Sequence, residues 1–392
     1  MTMKNLFFRI LSILWLEISL AVCAAHVSAQ TLTPIRIGSI STISSETASF
    51  GSTGLSAKAL FDSVNASGGI QKRKIQYFIE DDKGNPEFAA LAAARLINDK
   101  KIVAMVGNAS VLECGVNANA YLQAGMVSIP GLGLDRGCFS SKMIAPVNAG
   151  PNMQLALALQ FANTNLKAKS ICVMRIGQPL NLKNAFDAVV KQWSSESSVV
   201  ITLDADNIQF NEPSSPYFIK AAELNCNAIV FAGPESFSIR YAIEGRKALG
   251  AGVKFIFIGS AYTEKFPQLL GALGEGIYAM SEFEPWSSRS GSLSNWRNLM
   301  FVNNIGATSA SQGGYVSAQI MVQVLRSIKG EINRESVTQA FQALKNFNAP
   351  MLGMPFTFGT SSSHHPNQAA IPMQLLGGRW RIAHHDWLKP QR

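Results

Sequence analysis

The chain lacks the short motifs that announce covalent chemistry. No Gly-x-Ser-x-Gly elbow, His-Glu-x-x-His pair or P-loop occurs in its 392 residues, and no pairing of Ser with His nominates a triad. Nothing therefore points to an elbow-type serine hydrolase, a zincin protease or a P-loop nucleotidase. Clustered basic charge is also missing. Lys and Arg number 34 against 25 Asp and Glu, a formal charge of +9, but they are scattered, with Lys72-Arg73-Lys74 the longest run. A nucleic-acid surface would gather them in a stripe interleaved with aromatics, so no nucleic-acid partner is expected. Beyond the N-terminus no run is long and apolar enough to span a bilayer. Cysteine is sparse, five in all, and no low-complexity tract interrupts the chain.

What is present begins with a segment that reads as a secretory signal, residues 1–29. Lys4 and Arg9 form a basic start, Ile10 to Ala25 is mostly apolar despite Glu17, and Val27-Ser28-Ala29 offers small residues before Gln30. Leu20-Ala21-Val22-Cys23 looks like a lipoprotein box, but bulky Val22 stands where a small residue is required. That argues against a lipid anchor at Cys23. Removing Lys4, Arg9 and Glu17 takes +1 from the formal +9 and leaves +8, a balance that suits a soluble basic exported protein and mildly favours anionic ligands. Cys23 leaves with the signal, so four of the five cysteines remain, and an even number in an oxidising compartment permits disulfides. The remaining length suits two domains, each able to build its own core.

The stretch Asp62 to Gly107 organises the rest. Asn65-Ala66-Ser67-Gly68-Gly69-Ile70 stops a helix, because glycine accepts the left-handed conformation of a helix end. Ile75-Gln76-Tyr77-Phe78-Ile79 is a strand that leads into Asp81-Asp82. Asn85-Pro86 opens a second helix, with Ala89, Ala93, Leu96 and Ile97 on one face. Ile102 to Gly107 is apolar on both faces, the pattern of a buried parallel strand. In this order and at this spacing the landmarks resemble the branched-chain amino-acid type of periplasmic solute-binding protein.

The resemblance implies an α/β chain of type I periplasmic-binding-protein fold: two doubly wound parallel-sheet lobes joined by three crossovers. These fall near Asn148, Ser281 and Met351, with residues 30–148 plus 282–350 in lobe 1 and 149–281 plus 351–392 in lobe 2. It also implies capture of a small organic solute, an amino acid or related carboxylate, in the cleft between the lobes. The solute is delivered to an ABC permease in the inner membrane, by a periplasmic monomer with no cofactor, no metal and no catalysis. A ligand sensor docking on a receptor ectodomain, and a secreted enzyme using the same cleft, are the alternatives.

Elsewhere one β-α-β-α rhythm recurs, with crossovers long enough for parallel strands. Strand Ile35 to Ile40 leads through the loop Ser41 to Phe50 into a helix ending near Asn65, and Met126 to Ile129 is the strand after Gly107. Strands are then expected at 170–174, 199–203, 227–231 and 254–259, with helices at 153–166, 182–193, 217–224 and 238–249. Helices 314–327 and 334–344 follow, then strands 356–358 and 372–376 and the closing run Arg379 to Ile382. Cys114 and Cys138 lie in consecutive loop-and-helix segments of the first lobe and are expected to pair. Cys172 and Cys226 sit on strands that a doubly wound order sets side by side, as a second disulfide or as buried thiols.

Open α/β sheets bind ligands beyond the carboxyl ends of their strands, where helix N–H groups also point. Phe50-Gly51 fits the aromatic-Gly that ends a ligand-contacting loop in the resembled family. Asn108 and Ser110 follow the strand Ile102 to Val106. Gly133 and Leu134 lie in a Gly-rich loop after the next strand, where glycine either admits a ligand or only makes a turn. Family members that bind amino acids hold the ammonium with an acid after a Gly-Pro in the second lobe. Here the loop after Gly259 reads Ser260-Ala261-Tyr262 without an acid, Glu235 follows Gly233-Pro234 one strand earlier, and Leu134 or its neighbour replaces an expected Thr. Arg175, at a strand's end, is either a bidentate partner for an anion or a structural residue. Together these favour a carboxylate with an apolar or aromatic body. His364-His365 and His384-His385 suggest a metal, but adjacent residues on a strand face opposite ways. Both pairs are expected to be solvated loop residues.

Overall fold

The computed structural model describes residues 32–45, 49–177, 180–197, 199–209 and 211–390. The expected signal, with Cys23, lies outside them. The chain divides into a short unit, Met1–Pro34, and a large one, Ile35–Arg392, and the large unit carries both sheets. Among the described residues no helix is long and apolar enough to cross a membrane.

The first sheet contains β1 (Ile35–Ser41), β2 (Ile75–Asp81), β3 (Ala104–Val106), β4 (Ala109–Ser110), β5 (Ser128–Ile129) and β6 (Leu132–Gly133), all paired parallel. β1 is central, between β2 on one side and β3 and β4 on the other. The run expected as one strand, Ile102 to Gly107, is broken. Gly107 takes φ +76°, a conformation open to glycine that leaves the ladder, and pairing resumes at β4. Asn85 caps the following helix as expected, its Oδ1 accepting from Glu87 N at 2.8 Å. The helix Ser309–Ser327 returns from the second half of the chain and packs against the helix Gly51–Ala66. Gly314 permits this approach, since a Cβ there would stand 1.9 Å from the Thr53 carbonyl oxygen.

The second sheet runs β7 (Ile171–Ile176), β8 (Ile201–Ile208), β9 (Ala228–Ala232), β10 (Lys254–Phe257), β11 (Tyr278–Ser281), β12 (Ile371–Leu376) and β13 (Arg379–Ile382) in chain order. Across the sheet the order is β13-β12-β11-β10-β9-β7-β8; β12 pairs antiparallel with both β11 and β13, and every other pair is parallel. Side chains alternate between its two faces. Ile171 and Val173 join Leu155, Leu159 and Phe161 on one side. Cys172 and Met174 join Phe218, Tyr241 and Phe266 on the other.

Several expected elements shift. β11, between β10 and β12, is a strand that the sequence reading lacked. Phe356 to Phe358 is no strand, since Phe356 makes a single bridge to Phe347. The helix expected from Ser238 begins at Glu235, with Pro234 before it. Met351, Phe356 and Phe358 pack in the first core, whereas Ala370 packs in the second. The third crossing therefore comes after Phe358, later than Met351. The first crossing follows Val147 and the second lies between Met280 and Phe283.

Both cysteine pairs are bridged, Cys114–Cys138 with Cα atoms 5.0 Å apart and Cys172–Cys226 at 5.9 Å. The first ties the helix Glu113–Gln123 to the short turn Arg136–Phe139. Its partners are 24 residues apart, and closing a loop of that size stabilises a fold by about 3 kcal/mol. Replacing both Cys114 and Cys138 by Ser should lower the guanidinium chloride midpoint correspondingly. An unchanged midpoint would remove this bridge from the stabilising elements.

Candidate functional site

The parallel pairing brings the carboxyl ends of the first sheet's strands level. Ser41 stands beside Asp81 and Ala109, and Ser110 beside Gly133. Just past them Thr42 Oγ1 donates to Asp82 Oδ1 at 2.8 Å and lies 3.3 Å from Ser110 Oγ. With the Thr42 proton given to a carboxylate, the Ser110 hydroxyl can donate to Thr42 in turn. Ser110 Oγ itself accepts from the N–H groups of Leu112 and Glu113 at 3.2 and 3.1 Å. It thus takes up two N–H groups where the helix Glu113–Gln123 begins, ahead of the N-cap residue Leu112.

Asp81 and Asp82 build the adjoining loops. Asp81 Oδ1 accepts from Ile43 N and Lys83 N, each at 2.9 Å, and Asp82 Oδ1 accepts from Gly84 N at 2.8 Å. Burial works against the Asp81 charge, but bonds from Ser44, Ile43 and Lys83 hold its carboxyl below the ordinary range. Phe50 is half-buried against the first core, its N–H donating to Thr42 O at 2.8 Å. Asn108 is buried, and its carbonyl accepts from Gly131 N at 2.9 Å. Gly133 exchanges two bonds with the Asn148 amide, at 2.7 and 3.2 Å. A Cβ there would meet Pro146 at 2.8 Å, so packing demands this glycine. Leu134 packs beside the first core.

On the second sheet the corresponding edge holds Glu235, the first residue of the helix Glu235–Leu249. Thr263 Oγ1 donates to its carboxylate, and Ser260 Oγ donates to Gly233 O at 2.5 Å. Tyr262 is buried, stacked on Trp286 at 4.9 Å between centroids and edge-on to Trp380 at 5.6 Å. Trp286 lies three residues past Phe283, where the second crossing ends, and packs against the cores of both sheets.

Arg175 is not available to an anionic ligand. Its side chain is 2 % exposed. Nε and Nη2 reach Asp204 at 3.1 and 2.6 Å, and Nη1 reaches Asp187 at 2.8 Å. Burial opposes the guanidinium charge, and the two aspartates more than offset it, so its pKa lies above the ordinary value. Of the two readings of Arg175, the structural one is therefore realised. His364, expected in solvent, is buried. Its Nδ1 lies 3.0 and 2.9 Å from the carbonyl oxygens of Ser141 and Ile144 and so carries the proton. Among the described residues the one trio of possible metal ligands is Cys114, Asp135 and Cys138. The disulfide occupies both sulfurs.

One cluster beside the site escaped the sequence reading. Glu113 is buried, with Tyr121 Oη donating to its Oε1. Its Oε2 and Asn108 Oδ1 have no hydrogen-bond partner among the described residues. Burial pushes the Glu113 carboxyl up to about 7, against the pull of the Tyr121 hydroxyl bond and of the nearby Asn108 amide. Burial likewise pushes nearby Asp135 up to about 6. A proton on Glu113 turns one orphaned acceptor into a donor. The only local signal was an acid in a helix's first turn, which usually faces solvent and favours the helix dipole.

These raised values fix a sign. Below the ordinary Glu value of 4.5, Glu113 is neutral in the folded and unfolded chains alike. As pH rises towards about 7 only the unfolded chain ionises, so stability is lost, on the order of 3 kcal/mol for this residue alone. Glu113→Gln should therefore lose less melting temperature than the parent between about pH 5 and about pH 8. Equal losses would show that Glu113 ionises freely in the fold.

The solved structure of the branched-chain amino-acid binding protein LivJ from Streptococcus pneumoniae, in complex with isoleucine, superimposes with a TM-score of 0.77 at 17 % identity, covering 91 % of this chain and 100 % of that one. A branched-chain amino-acid ABC transporter protein from Thermus thermophilus with bound valine gives 0.79 at 13 % identity, over 92 % of this chain and 98 % of that one. The leucine-binding protein LivK from Thermotoga maritima gives 0.73 at 15 % identity, over 91 % and 99 %. At these identities the likeness shows the fold: two α/β lobes of the type I periplasmic-binding-protein kind. No curated protein sequence matches. The model of the family described as periplasmic binding protein matches residues 34–379. The chain belongs to the periplasmic binding protein family.

Proposed function

We propose that the protein is exported to the periplasm, takes an amino acid or related carboxylate between its lobes as a monomer, and hands it to an ABC permease without changing it. The observation that carries this reading is topological. The three crossings meet both sheets at the edge where the parallel strands end, which is also where such sheets bind ligands. Movement about those crossings opens and closes that edge. A ligand touching both lobes only when they are closed stabilises the closed form by its differential affinity. Names of similar solved structures support the ligand class, since two of them hold isoleucine and valine.

Ligand charge follows from what remains free. The expectation of a simple monoanion leaned on Arg175, which Asp187 and Asp204 engage. Glu235 stands at a strand's carboxyl end in a helix's first turn and is paired with no cation among the described residues. A buried ammonium needs such a partner, so the zwitterion is favoured over its deaminated relative. Isothermal titration of ligand-stripped protein should show leucine binding more tightly than its keto acid. The difference should shrink at least tenfold in Glu235→Gln, as loss of a charged hydrogen bond of about 1.5–3 kcal/mol requires. Tighter binding of the keto acid, untouched by Glu235→Gln, would return the ligand to a monoanion. Conversion of either compound during the titration would replace the transport reading by an enzymatic one.

A further inference from the structure

Glu282 stands where the three crossings meet, and the ligand reading gives it no role. It is 6 % exposed. Its Oε2 accepts from Ala149 N at 3.1 Å, Gly150 N at 3.2 Å and Gln154 Nε2 at 2.8 Å, all on the first crossing and the helix Gly150–Thr164 that follows it. Its carbonyl oxygen accepts from Asn367 Nδ2, on the third crossing, at 2.9 Å. Glu282 itself belongs to the second crossing. One residue thus ties all three segments about which the lobes turn.

The tie extends to the candidate ligand wall. Gln154 donates to Glu282 and accepts, through Oε1, from Gly259 N. Gly259 begins the turn that carries Ser260 and Tyr262. Ser260 in turn donates to Gly233 O, two residues before Glu235. Gln154 is buried and has its oxygen and nitrogen committed at opposite ends of this chain of bonds. It cannot turn without releasing either the crossing or the wall.

We propose that Glu282 is a latch that couples the crossings to the second lobe's ligand wall through Gln154, and that protonation of its carboxyl releases it. This rests on the binding reading for its consequence, not for its mechanism. The three groups at Oε2 are all donors, and bonds to a carboxylate are stronger than bonds to a neutral carboxyl. A proton added here weakens three bonds together. Burial pushes the Glu282 carboxyl up to about 7, against the pull of Gly150 N–H, the Asn148 side chain, Ala149 N–H and Gln154. None of these carries a charge. The helix Gly150–Thr164 has no titratable side chain. The other titratable groups on or next to the crossings are Glu284, which accepts from Ser288 and Ser292, His364, held by the Ser141 and Ile144 carbonyls, and His365, stacked on Phe139. Tyr262 and Tyr278 are those of the turn and of β11.

Hydrogen–deuterium exchange of the ligand-free mature protein tests the latch directly. After correction for intrinsic exchange, protection over 148–155 and 257–262 should fall roughly fivefold between about pH 8 and about pH 6, the step expected when charged bonds become neutral ones. Glu282→Gln, of the same shape, should show no such step. Gln154→Met should keep the step at 148–155 and lose it at 257–262. A step that persists in Glu282→Gln, or none in the parent, would overturn the latch. A step at 257–262 surviving in Gln154→Met would overturn the relay. Because no ligand is present, these outcomes stand whether or not leucine binds. In a parallel titration leucine should bind the parent several-fold more weakly at the lower pH, and Glu282→Gln equally at both. A pH-independent parent affinity would overturn the link from latch to ligand.

Discussion

Passing a chain three times between two sheets creates a local problem of buried polar backbone, and the carboxylate of Glu282 answers it. Each crossing brings N–H and C=O groups into a place with little water, where an unmade bond costs more than a made one contributes. Glu282 takes up two N–H groups at the start of the helix Gly150–Thr164, which would otherwise point at nothing inside the helix. Its own carbonyl is taken up by Asn367, whose Oδ1 in turn accepts from Ala369 N at 3.3 Å. Asn148 does the same for both polar groups of Gly133. The edge at which both sheets end is therefore defined by amide and carboxyl side chains, and the loops of both lobes take their positions from it.

Much of the fold was legible because parallel strands buried on both faces write themselves as short apolar runs. Ile35 to Ser41, Ile171 to Ile176 and Ala228 to Ala232 are of that kind, and each is a strand where expected. β11 was hidden by brevity, since Tyr278–Ser281 follows a turn at Gly276 and carries only four residues. The break at Gly107 was hidden because an apolar run gives no sign of where its backbone leaves the ladder. The late third crossing was hidden for another reason. Met351, Phe356 and Phe358 are core residues outside any regular element, and periodicity cannot assign a residue without a period.

The site was legible as a set of loops and not as a set of bonds. Position at a strand's carboxyl end singled out Ser110 and Glu235, and the structure sets both at such ends. What the residues do there depends on partners far along the chain. Arg175 is matched to Asp204 because β7 pairs with β8, with Val173 level with Asp204, and that register is not written near Arg175. Glu113 meets Tyr121 two helical turns on, a spacing any surface pair could share. Burial alone distinguishes it, and burial is a property of the finished fold.

The pairing of β11 with β12 also governs when the molecule can exist. Tyr278 finds its neighbour at Gln374, 96 residues further on. The first core is equally late, since the helix Gly51–Ala66 has no cover until Ser309–Ser327 has been made. Neither lobe can close around its own early residues, and such distant pairings are slow to form because long loops must be ordered first. A ribosome making this chain therefore carries a long, uncommitted stretch between the early residues and their partners. Until those distant partners are made, the apolar strands of both lobes have no finished core to enter, and they remain open to whatever else binds extended chain.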